Sequence, residues 1–255
     1  MIYTNFYPLA NLHTLPKNSS ELETQCLFGE KINVISENKS WYFCKLLKDQ
    51  SKGWIKKKYF TINKSKPNFK VRALKANLYQ KPDLKSQNIS SLYLNSLLKA
   101  QKINENWSIL KFKNKDAYIY NNDICKVENH NIKLIDILKS FIGTPYLWGG
   151  KSYDGIDCSG LIQISFETQG ILLPRNTSKQ IKIKNKNFKK ISKPEKNCLI
   201  FWKNHVGFLF KDNKVIHSSG QKMRVVEENA QKLINNFEQK NLKVLEIYKF
   251  KDENN

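Results

Sequence analysis

The chain has no run of 18 uncharged apolar residues, so its sequence predicts no membrane-spanning helix. It also lacks a basic segment followed by an apolar one at its start, and on that ground we expect no secretory signal and a cytoplasmic location. The five cysteines are an odd number and include no CxxC pair, which argues against a zinc ribbon and a disulfide framework. We therefore expect a protein of a reducing compartment that uses no metal and no cofactor.

Arginine is scarce, although the net charge is +22. Only three of the 44 basic residues are arginine, namely Arg72, Arg175 and Arg224. Proteins that read bases or clamp phosphates depend on the forked guanidinium group. Lysine is spread through every segment instead, which is typical of a solvated surface, and attraction to acidic substrates is a second interpretation. We expect no nucleic-acid partner, and the sequence indicates no particular oligomeric state.

An internal repeat occupies the first 125 residues at an offset of 66. The clearest matches are Ala10-Asn11-Leu12 with Ala76-Asn77-Leu78, and Trp41 with Trp107. After a two-residue slip the match continues to residue 119. Two copies are too few for a solenoid, so each copy is interpreted as a domain of about 60 residues.

Each copy contains short alternating runs rich in strand-forming residues, such as "KINVIS", "WYFCKLL" and "WSILKF". Short strands at regular spacing indicate a small barrel. The first copy resembles the bacterial SH3-like domain through its "ANLHTLP", "FGEKINVI" and "GWI" segments, and the second copy resembles it more weakly. The sequence thus predicts SH3-like barrels over 1–64 and 65–127, joined by the linker 63–70.

The pattern changes near residue 130. "NIKLIDILKSFIG" predicts a helix with Ile132, Ile135, Leu138 and Ile142 on one face, and "DCSGLIQISFETQG" predicts a second helix. Strand-like runs follow, namely "CLIFW", "HVGFLFK", "KVIHSS", "MRVVE" and "LKVLEIYKF", with a short helix at "ENAQKLINNF". Helices followed by hairpin-linked strands predict an α+β domain with an antiparallel sheet over 128–255.

Cys158 stands where the second of these helices begins, between Asp157 and Ser159. A helix N-terminus lowers the pKa of a thiol, so we expect a pKa below that of a free cysteine, about 8.5. A buried packing role is the alternative interpretation.

A nucleophilic thiol requires a base, and the chain has four histidines. His13 and His130 stand in turn-like contexts, whereas His205 and His217 are twelve residues apart on two strands joined by a tight turn. Hairpin geometry makes the latter two neighbours. Two histidines and one cysteine form no recognised metal-ligand spacing. The pattern favours nucleophilic catalysis over surface or packing roles.

The segments "GTPYLWGGKSYDGIDCSGLIQISFETQGILLPRNTSKQ" and "HVGFLFKDNKVIHSSG" resemble the NlpC-type family of bacterial cell-wall cysteine peptidases, which are papain-like in fold. The resemblance implies that Cys158 is the nucleophile, His205 the base and His217 the residue that orients the base. It also places Tyr146 near the oxyanion site.

Family members with SH3-like domains ahead of the peptidase cut the γ-D-glutamyl-to-diamino acid bond of peptidoglycan stem peptides. The resemblance implies that Asp157 binds the free amine of an N-terminal L-alanine and that Ser159 and Trp148 belong to the substrate site. Those relatives add a tyrosine just before the Gly-Trp of the first barrel, where this chain has Ser51-Lys52.

The expected function is therefore that of a cysteine endopeptidase acting on peptidoglycan-derived peptides with a free N-terminal L-alanine, as in murein peptide recycling. Two alternatives stand beside it. One is a wall-binding module with an inactive peptidase domain, and the other is an amidase or acyltransferase on the same scaffold.

Overall fold

The computed structural model describes residues 1–63 and 65–251. The chain divides into two compact units, Met1–Asn131 and Ile132–Asn255. Lys64, at the predicted boundary and within the predicted linker, lies outside the described residues, as do the last four residues of the predicted third domain. Within the described ranges, no helix has both the length and the apolar character that crossing a bilayer demands.

The first unit is built almost entirely of strands. They are β1 Ile2–Asn5, β2 Leu9–His13, β3 Leu22–Leu27, β4 Lys31–Asn38, β5 Trp41–Leu46, β6 Lys52–Lys56, β7 Phe60–Thr61, β8 Phe69–Val71, β9 Lys75–Tyr79, β10 Asn88–Tyr93, β11 Leu97–Leu98, β12 Ala100–Lys102, β13 Trp107–Phe112, β14 Lys115–Tyr120 and β15 Ile124–Lys126. Two single-turn 3-10 helices interrupt them at Lys57–Tyr59 and Asn121–Asp123. The strands form sheets in the orders β3-β2-β6-β5-β4-β1-β7, β10-β9-β14-β13-β12 and β11-β8-β15.

The predicted repeat is confirmed in the order and spacing of these elements. Strands β2, β3 and β5 recur 66 residues later as β9, β10 and β13. The 3-10 turns are 64 residues apart, which matches the two-residue slip in the sequence. Alternation explains the strands, since β13 buries Ser108, Leu110 and Phe112 and leaves the residues between them more exposed.

Two expectations for this unit need correction. The end of the predicted linker 63–70 is not linker, because Phe69 begins strand β8 and is buried. His13 does not stand in an open turn either. It ends strand β2, is buried, and meets the edge of the Trp41 ring at a centroid distance of 5.7 Å.

In its described part, residues 132–251, the second unit contains four helices and one large antiparallel sheet. The helices are α1 Leu134–Ser140, α2 Cys158–Glu167, α3 Thr177–Gln180 and α4 Ala230–Glu238. The strands are β16 Lys151–Ser152, β17 Gly155–Ile156, β18 Phe188–Ile191, β19 Cys198–Trp202, β20 His205–Lys211, β21 Lys214–Ser219, β22 Arg224–Asn229 and β23 Glu246–Phe250. The sheet order is β18-β23-β19-β20-β21-β22, and every pairing in it is antiparallel, as predicted.

The buried face of α1 differs from the predicted one. Leu134, Ile137 and Leu138 are buried in this helix, whereas Ile142 lies beyond its end and is 43% exposed. The buried positions follow the i, i+3, i+4 spacing of a helical face. Because the helix ends at Ser140, Ile142 is not helical and does not lie on the buried face.

Helix α2 is buried on all sides. Every residue from Cys158 to Phe166 is buried, and the ring of Phe166 meets those of Phe208 and Phe250 in the sheet at centroid distances of 5.9 and 5.0 Å. A helix buried all round forms part of a core, although Ser159, Gln163 and Ser165 of this one are polar. Its first residue is therefore held at a fixed position against strand β20.

Candidate active site

Asp157 is the N-cap of helix α2. Its Oδ1 accepts a hydrogen bond of 2.7 Å from the backbone N–H of Gly160, which satisfies one of the free donors of the first helical turn. Gly160 is required here by close approach, since a Cβ at this position would lie 2.4 Å from the carbonyl oxygen of Gly150. The "DCSG" segment is thus a helix start pressed against a neighbouring loop.

The carboxylate of Asp157 is surrounded by donors. Arg175 donates to Oδ1 and Oδ2 at 2.9 and 2.6 Å, and the backbone N–H of Gly149 donates to Oδ2 at 2.9 Å. Ser159 donates its hydroxyl to Oδ1 at 3.1 Å and accepts from Arg175 at 2.9 Å. Asp157, Ser159 and Arg175 are all buried. The three side chains form one neutralised network immediately beside the thiol.

The Cys158 thiol lies against the backbone on both sides of His205. Its Sγ is 3.8 Å from the carbonyl oxygen of Asn204, and the backbone of Val206 hydrogen-bonds to the sulfur. His205 begins strand β20 and lies between Asn204 and Val206. Because α2 packs on this strand, the thiol is placed beside His205.

The expectation of a low thiol pKa is wrong. Burial, and after it the negative charge of Asp157, raise the pKa of Cys158 to about 12. Hydrogen bonds from the backbone of Val206 and Ser159 lower the pKa, as does the charge of Arg175, but these effects are smaller than the increase caused by burial. Desolvation penalises a thiolate more than one helix terminus stabilises it. The resting thiol is therefore neutral.

His205 and His217 are hydrogen-bonded, as the hairpin pattern predicted. The Nε2 atom of His205 lies 2.8 Å from Nδ1 of His217, and the two rings are nearly perpendicular at 87°. Gly207 makes room for this pair, because a Cβ there would lie 2.7 Å from Cγ1 of Val215 and 3.3 Å from Cβ of His217. With Nε2 engaged in this bond, Nδ1 is the second ring nitrogen of His205.

A third hydrogen bond extends the pair to a carboxylate. Nε2 of His217 lies 2.9 Å from Oε2 of Glu228, and Lys222 donates to the other oxygen of Glu228 at 2.7 Å. Burial and the neighbouring His217 lower the pKa of His205, and burial lowers that of His217 although Glu228 opposes the shift. Both imidazoles are thus neutral near pH 7. His205 also stacks on Phe237 at a centroid distance of 5.2 Å, which fixes its ring plane.

Tyr146 lies near the thiol and keeps its proton. Burial, and after it the charges of Cys158 and Asp157, raise the pKa of Tyr146 to about 12. The ring lies beside Gly220, since a Cβ added at that glycine would be 3.6 Å from Cζ of Tyr146, an ordinary van der Waals contact. A protonated phenol beside a nucleophile is a donor suited to an oxyanion.

The structure thus brings Cys158, His205, His217, Tyr146 and the Asp157–Ser159 pair of predicted residues into one region of the second unit. Trp148 lies in the loop between Thr144 and Gly150 and is 56% exposed. Ser51, which the resemblance set against a family tyrosine, is buried in the first unit, where its carbonyl oxygen accepts from the N–H of Leu46.

Sequence reasoning missed two charged residues of this region, Arg175 and Glu228. Arg175 follows an "LP" pair as one of only three arginines in the chain, which is a usable signal for a buried ion pair. Glu228 stands in a strand after Glu227, and nothing in that local pattern distinguishes it. In the part of the chain that the structure describes, no three His, Cys, Asp or Glu side chains are grouped so that they could hold a metal ion.

Comparison with protein families and known proteins agrees with this geometry. Residues 143–243 match the NlpC/P60 family, and residues 12–59 match the bacterial dipeptidyl-peptidase Sh3 domain. The chain is 27% identical over 233 residues to the gamma-D-glutamyl-L-lysine dipeptidyl-peptidase of Bacillus cereus, covering 79% of this chain and 68% of that protein. It is 29% identical over 176 residues to the protein of the same name from Bacillus subtilis, covering 63% of this chain and 58% of that protein.

A crystal structure of an NlpC/P60 family protein from Bacillus cereus has the same fold. It superposes with a TM-score of 0.75 at 22% identity, covering 90% of this chain and 94% of that one. The matched range 143–243 spans the positions of Cys158, His205, His217 and Glu228. The chain therefore carries an NlpC/P60 domain of the cysteine-peptidase type together with a bacterial Sh3 domain.

Proposed function

We propose that the protein is a cysteine endopeptidase that hydrolyses the γ-D-glutamyl-to-diamino acid bond of peptidoglycan stem peptides with a free N-terminal L-alanine. The observation that carries the proposal is the convergence of one buried thiol and two hydrogen-bonded histidines at the start of helix α2. The names of the two Bacillus relatives support the choice of bond.

Attack begins from a neutral thiol and a neutral imidazole. As Sγ of Cys158 bonds to the γ-glutamyl carbonyl carbon, its proton passes to Nδ1 of His205, and the carbonyl oxygen becomes an oxyanion. The hydroxyl of Tyr146 and the backbone N–H of Cys158 at the start of α2 stabilise that charge. Coupling proton transfer to attack avoids a free thiolate, which burial disfavours.

The tetrahedral species then collapses. The carbon–nitrogen bond breaks, and His205 gives its proton to the departing amine of the diamino acid. Water enters, loses a proton to the same nitrogen, and attacks the thioester carbon, so that the carbon–sulfur bond breaks and Cys158 recovers its proton. From a tripeptide the products are the free diamino acid and the L-Ala-γ-D-Glu dipeptide.

Asp157 is the proposed recognition group for the free α-amine, with Ser159 and Trp148 completing the substrate site. The carboxylate already accepts from Arg175, Ser159 and two backbone N–H groups. An ammonium bound here has to share a carboxylate oxygen with the donors already in place, and those donors hold that oxygen in a fixed position. Such rigid positioning selects the register of a short peptide.

The first unit is proposed to contain two SH3-like barrels, over 1–64 and 65–127, followed by the peptidase domain over 128–255. The matching strands at an offset of 66 support the second barrel. We further propose a cytoplasmic location and a role in recycling murein peptides, because free stem peptides carry the unblocked L-alanine that the proposed site selects.

Incubation with L-Ala-γ-D-Glu-diaminopimelate and with L-Ala-γ-D-Glu-L-Lys tests the function. Mass spectrometry should detect free diamino acid from at least one peptide, and Cys158→Ala should abolish its release without changing the circular dichroism spectrum. Absence of any cleavage by the wild type would favour an inactive wall-binding module. Acyl transfer to added amines in place of hydrolysis would favour an acyltransferase.

A further inference from the structure

We infer that Glu228, held by Lys222, is a positioning residue that fixes the tautomers of both histidines and so directs the basic nitrogen of His205 at the thiol. This inference rests on the proposed function for its purpose, because the base it orients is the one that takes the Cys158 proton. Its geometry stands on three consecutive contacts, of 2.8 Å between the histidines, 2.9 Å from His217 to Glu228, and 2.7 Å from Lys222 to Glu228.

Strand register places Glu228 on the correct face. His217 in β21 lies directly opposite Val226 in β22. Because side chains alternate along a strand, Glu228 projects on the same face as Val226 and is a diagonal neighbour of His217. Glu227 projects on the other face, where it pairs with Lys214. Two adjacent glutamates therefore have separate partners.

The tautomers follow from what each group can donate. An ionised carboxylate only accepts hydrogen bonds, so Nε2 of His217 must carry the proton in its bond to Glu228. In a neutral imidazole the other nitrogen is then an acceptor, and Nδ1 of His217 accepts from Nε2–H of His205. This leaves Nδ1 of His205 unprotonated, as a general base requires.

Lys222 keeps Glu228 in the state that this chain of bonds needs. Partial burial opposes ionisation, but hydrogen bonds from Lys222 and His217 hold the pKa of Glu228 below its usual range. Lysine can only donate, so Lys222 occupies one carboxylate oxygen of Glu228 while His217 binds the other. When His205 becomes an imidazolium during attack, the carboxylate is the negative charge that faces it through His217.

The role of Lys222 makes Glu228→Gln a stringent test. The amide oxygen of the new side chain must face Lys222, which leaves its NH2 group directed at Nε2 of His217. That nitrogen must then be an acceptor, so the proton of His217 moves to Nδ1 and the proton of His205 moves to its own Nδ1. Nδ1 of His205 is then no longer a base, although the hydrogen-bonded chain stays intact.

We expect Glu228→Gln to lower kcat by roughly 10²- to 10⁴-fold, the usual contribution of a general base, with little change in KM. Glu228→Ala should lose less, because His217 then bonds to water and no tautomer is imposed. Adding Lys222→Met to Glu228→Gln should recover at least tenfold in kcat, since the amide can now turn its oxygen to His217. Glu227→Gln is the matched control and should keep the wild-type kcat.

A measurement without substrate separates this inference from the proposed function. In the full-length wild-type protein, long-range nitrogen–proton NMR correlations should show both His205 and His217 protonated at Nε2 and unprotonated at Nδ1 near pH 7.5. Spectra of His217→Asn and His205→Ala assign the signals. A protein that cleaves no peptide but shows these tautomers would refute the function and retain the positioning role.

Two results would overturn the inference. One is an Nδ1-protonated His217 in the wild type. The other is a Glu228→Gln variant, folded by circular dichroism, whose kcat lies within twofold of the wild type or is not improved by Lys222→Met. If Glu228→Gln does not fold, the NMR tautomers of the wild type decide the question alone.

Discussion

Arg175 donates to both carboxylate oxygens of Asp157, at 2.9 and 2.6 Å, and both side chains are buried, with Asp157 directly before Cys158 in the chain. A buried ion pair contributes little when compared with apolar residues, but removing one partner leaves an uncompensated charge in the core. We expect Arg175→Met to destabilise the protein by about 3–5 kcal/mol. Urea unfolding measures the loss. Lys190→Met breaks the exposed pair with Glu246 and should leave the unfolding midpoint unchanged, and equal shifts for the two variants would contradict the argument.

The raised pKa of Cys158 predicts that no thiolate exists at neutral pH. The difference in absorbance at 240 nm between the wild type and Cys158→Ala should be flat near pH 7 and should rise only within about one pH unit of the pKa of about 12. A thiolate signal already present at pH 7 would show that the helix terminus prevails over burial. The attack would then start from a thiolate of Cys158 paired with a protonated His205, and proton transfer would precede it.

The lowered pKa values of His205 and His217 predict a loss of stability in acid. Below the ordinary value of 6.5, the unfolded chain binds protons that the folded protein excludes, so stability falls as pH decreases. Each histidine contributes up to about 1.4 kcal/mol per pH unit until its folded pKa is reached. Thermal unfolding between pH 7.5 and 5 should show the decline. His205→Ala should reduce the slope, and an unchanged slope would place the acid sensitivity elsewhere.

His217→Asn should be milder than His217→Leu. The asparagine side-chain oxygen can still accept the Nε2–H of His205, whereas leucine leaves that donor without an acceptor in a partly buried site. Measured kcat values should therefore fall in the order wild type, Asn, Leu. If Asn proved as inactive as Cys158→Ala, an acceptor alone would not suffice and the imidazole of His217 would have a further role.

N-acetylation of the L-alanine tests amine recognition by Asp157 without altering the protein. The modified peptide presents a neutral amide to the carboxylate, and loss of a buried charge pair costs about 2–5 kcal/mol. This corresponds to a decrease of roughly 30- to 4000-fold in kcat/KM. Cross-linked wall, whose L-alanine is blocked, should be a poor substrate as well. Equal rates on free and acetylated tripeptide would contradict the recycling role and favour a wall hydrolase.

Several features were accessible from sequence because they depend on local pattern. The runs "CLIFW" and "KVIHSS" predicted strands with the bounds that the structure gives them, Cys198–Trp202 and Lys214–Ser219. The helix at Cys158 and the pairing of His205 with His217 followed from capping residues and from hairpin spacing. Short-range rules suffice where neighbours along the chain decide the conformation.

Other features depend on contacts that are distant in sequence. The thiol pKa was predicted with the wrong sign, because the local helix terminus was visible in "DCSG" whereas the burial of α2 against the sheet was not. Arg175 reaches Asp157 across 18 residues, and Glu228 reaches His217 through a register that only the folded sheet specifies.

The sequence by itself determined the candidate catalytic side chains and the order of the elements that hold them. Spacing along the chain already places the thiol at a helix start, two histidines on one hairpin, and the strands of the first unit in a repeat. The tertiary structure decided the protonation states of these groups. A pKa and a tautomer depend on the water excluded and the partners brought close by packing, and both are set by residues far apart in the chain.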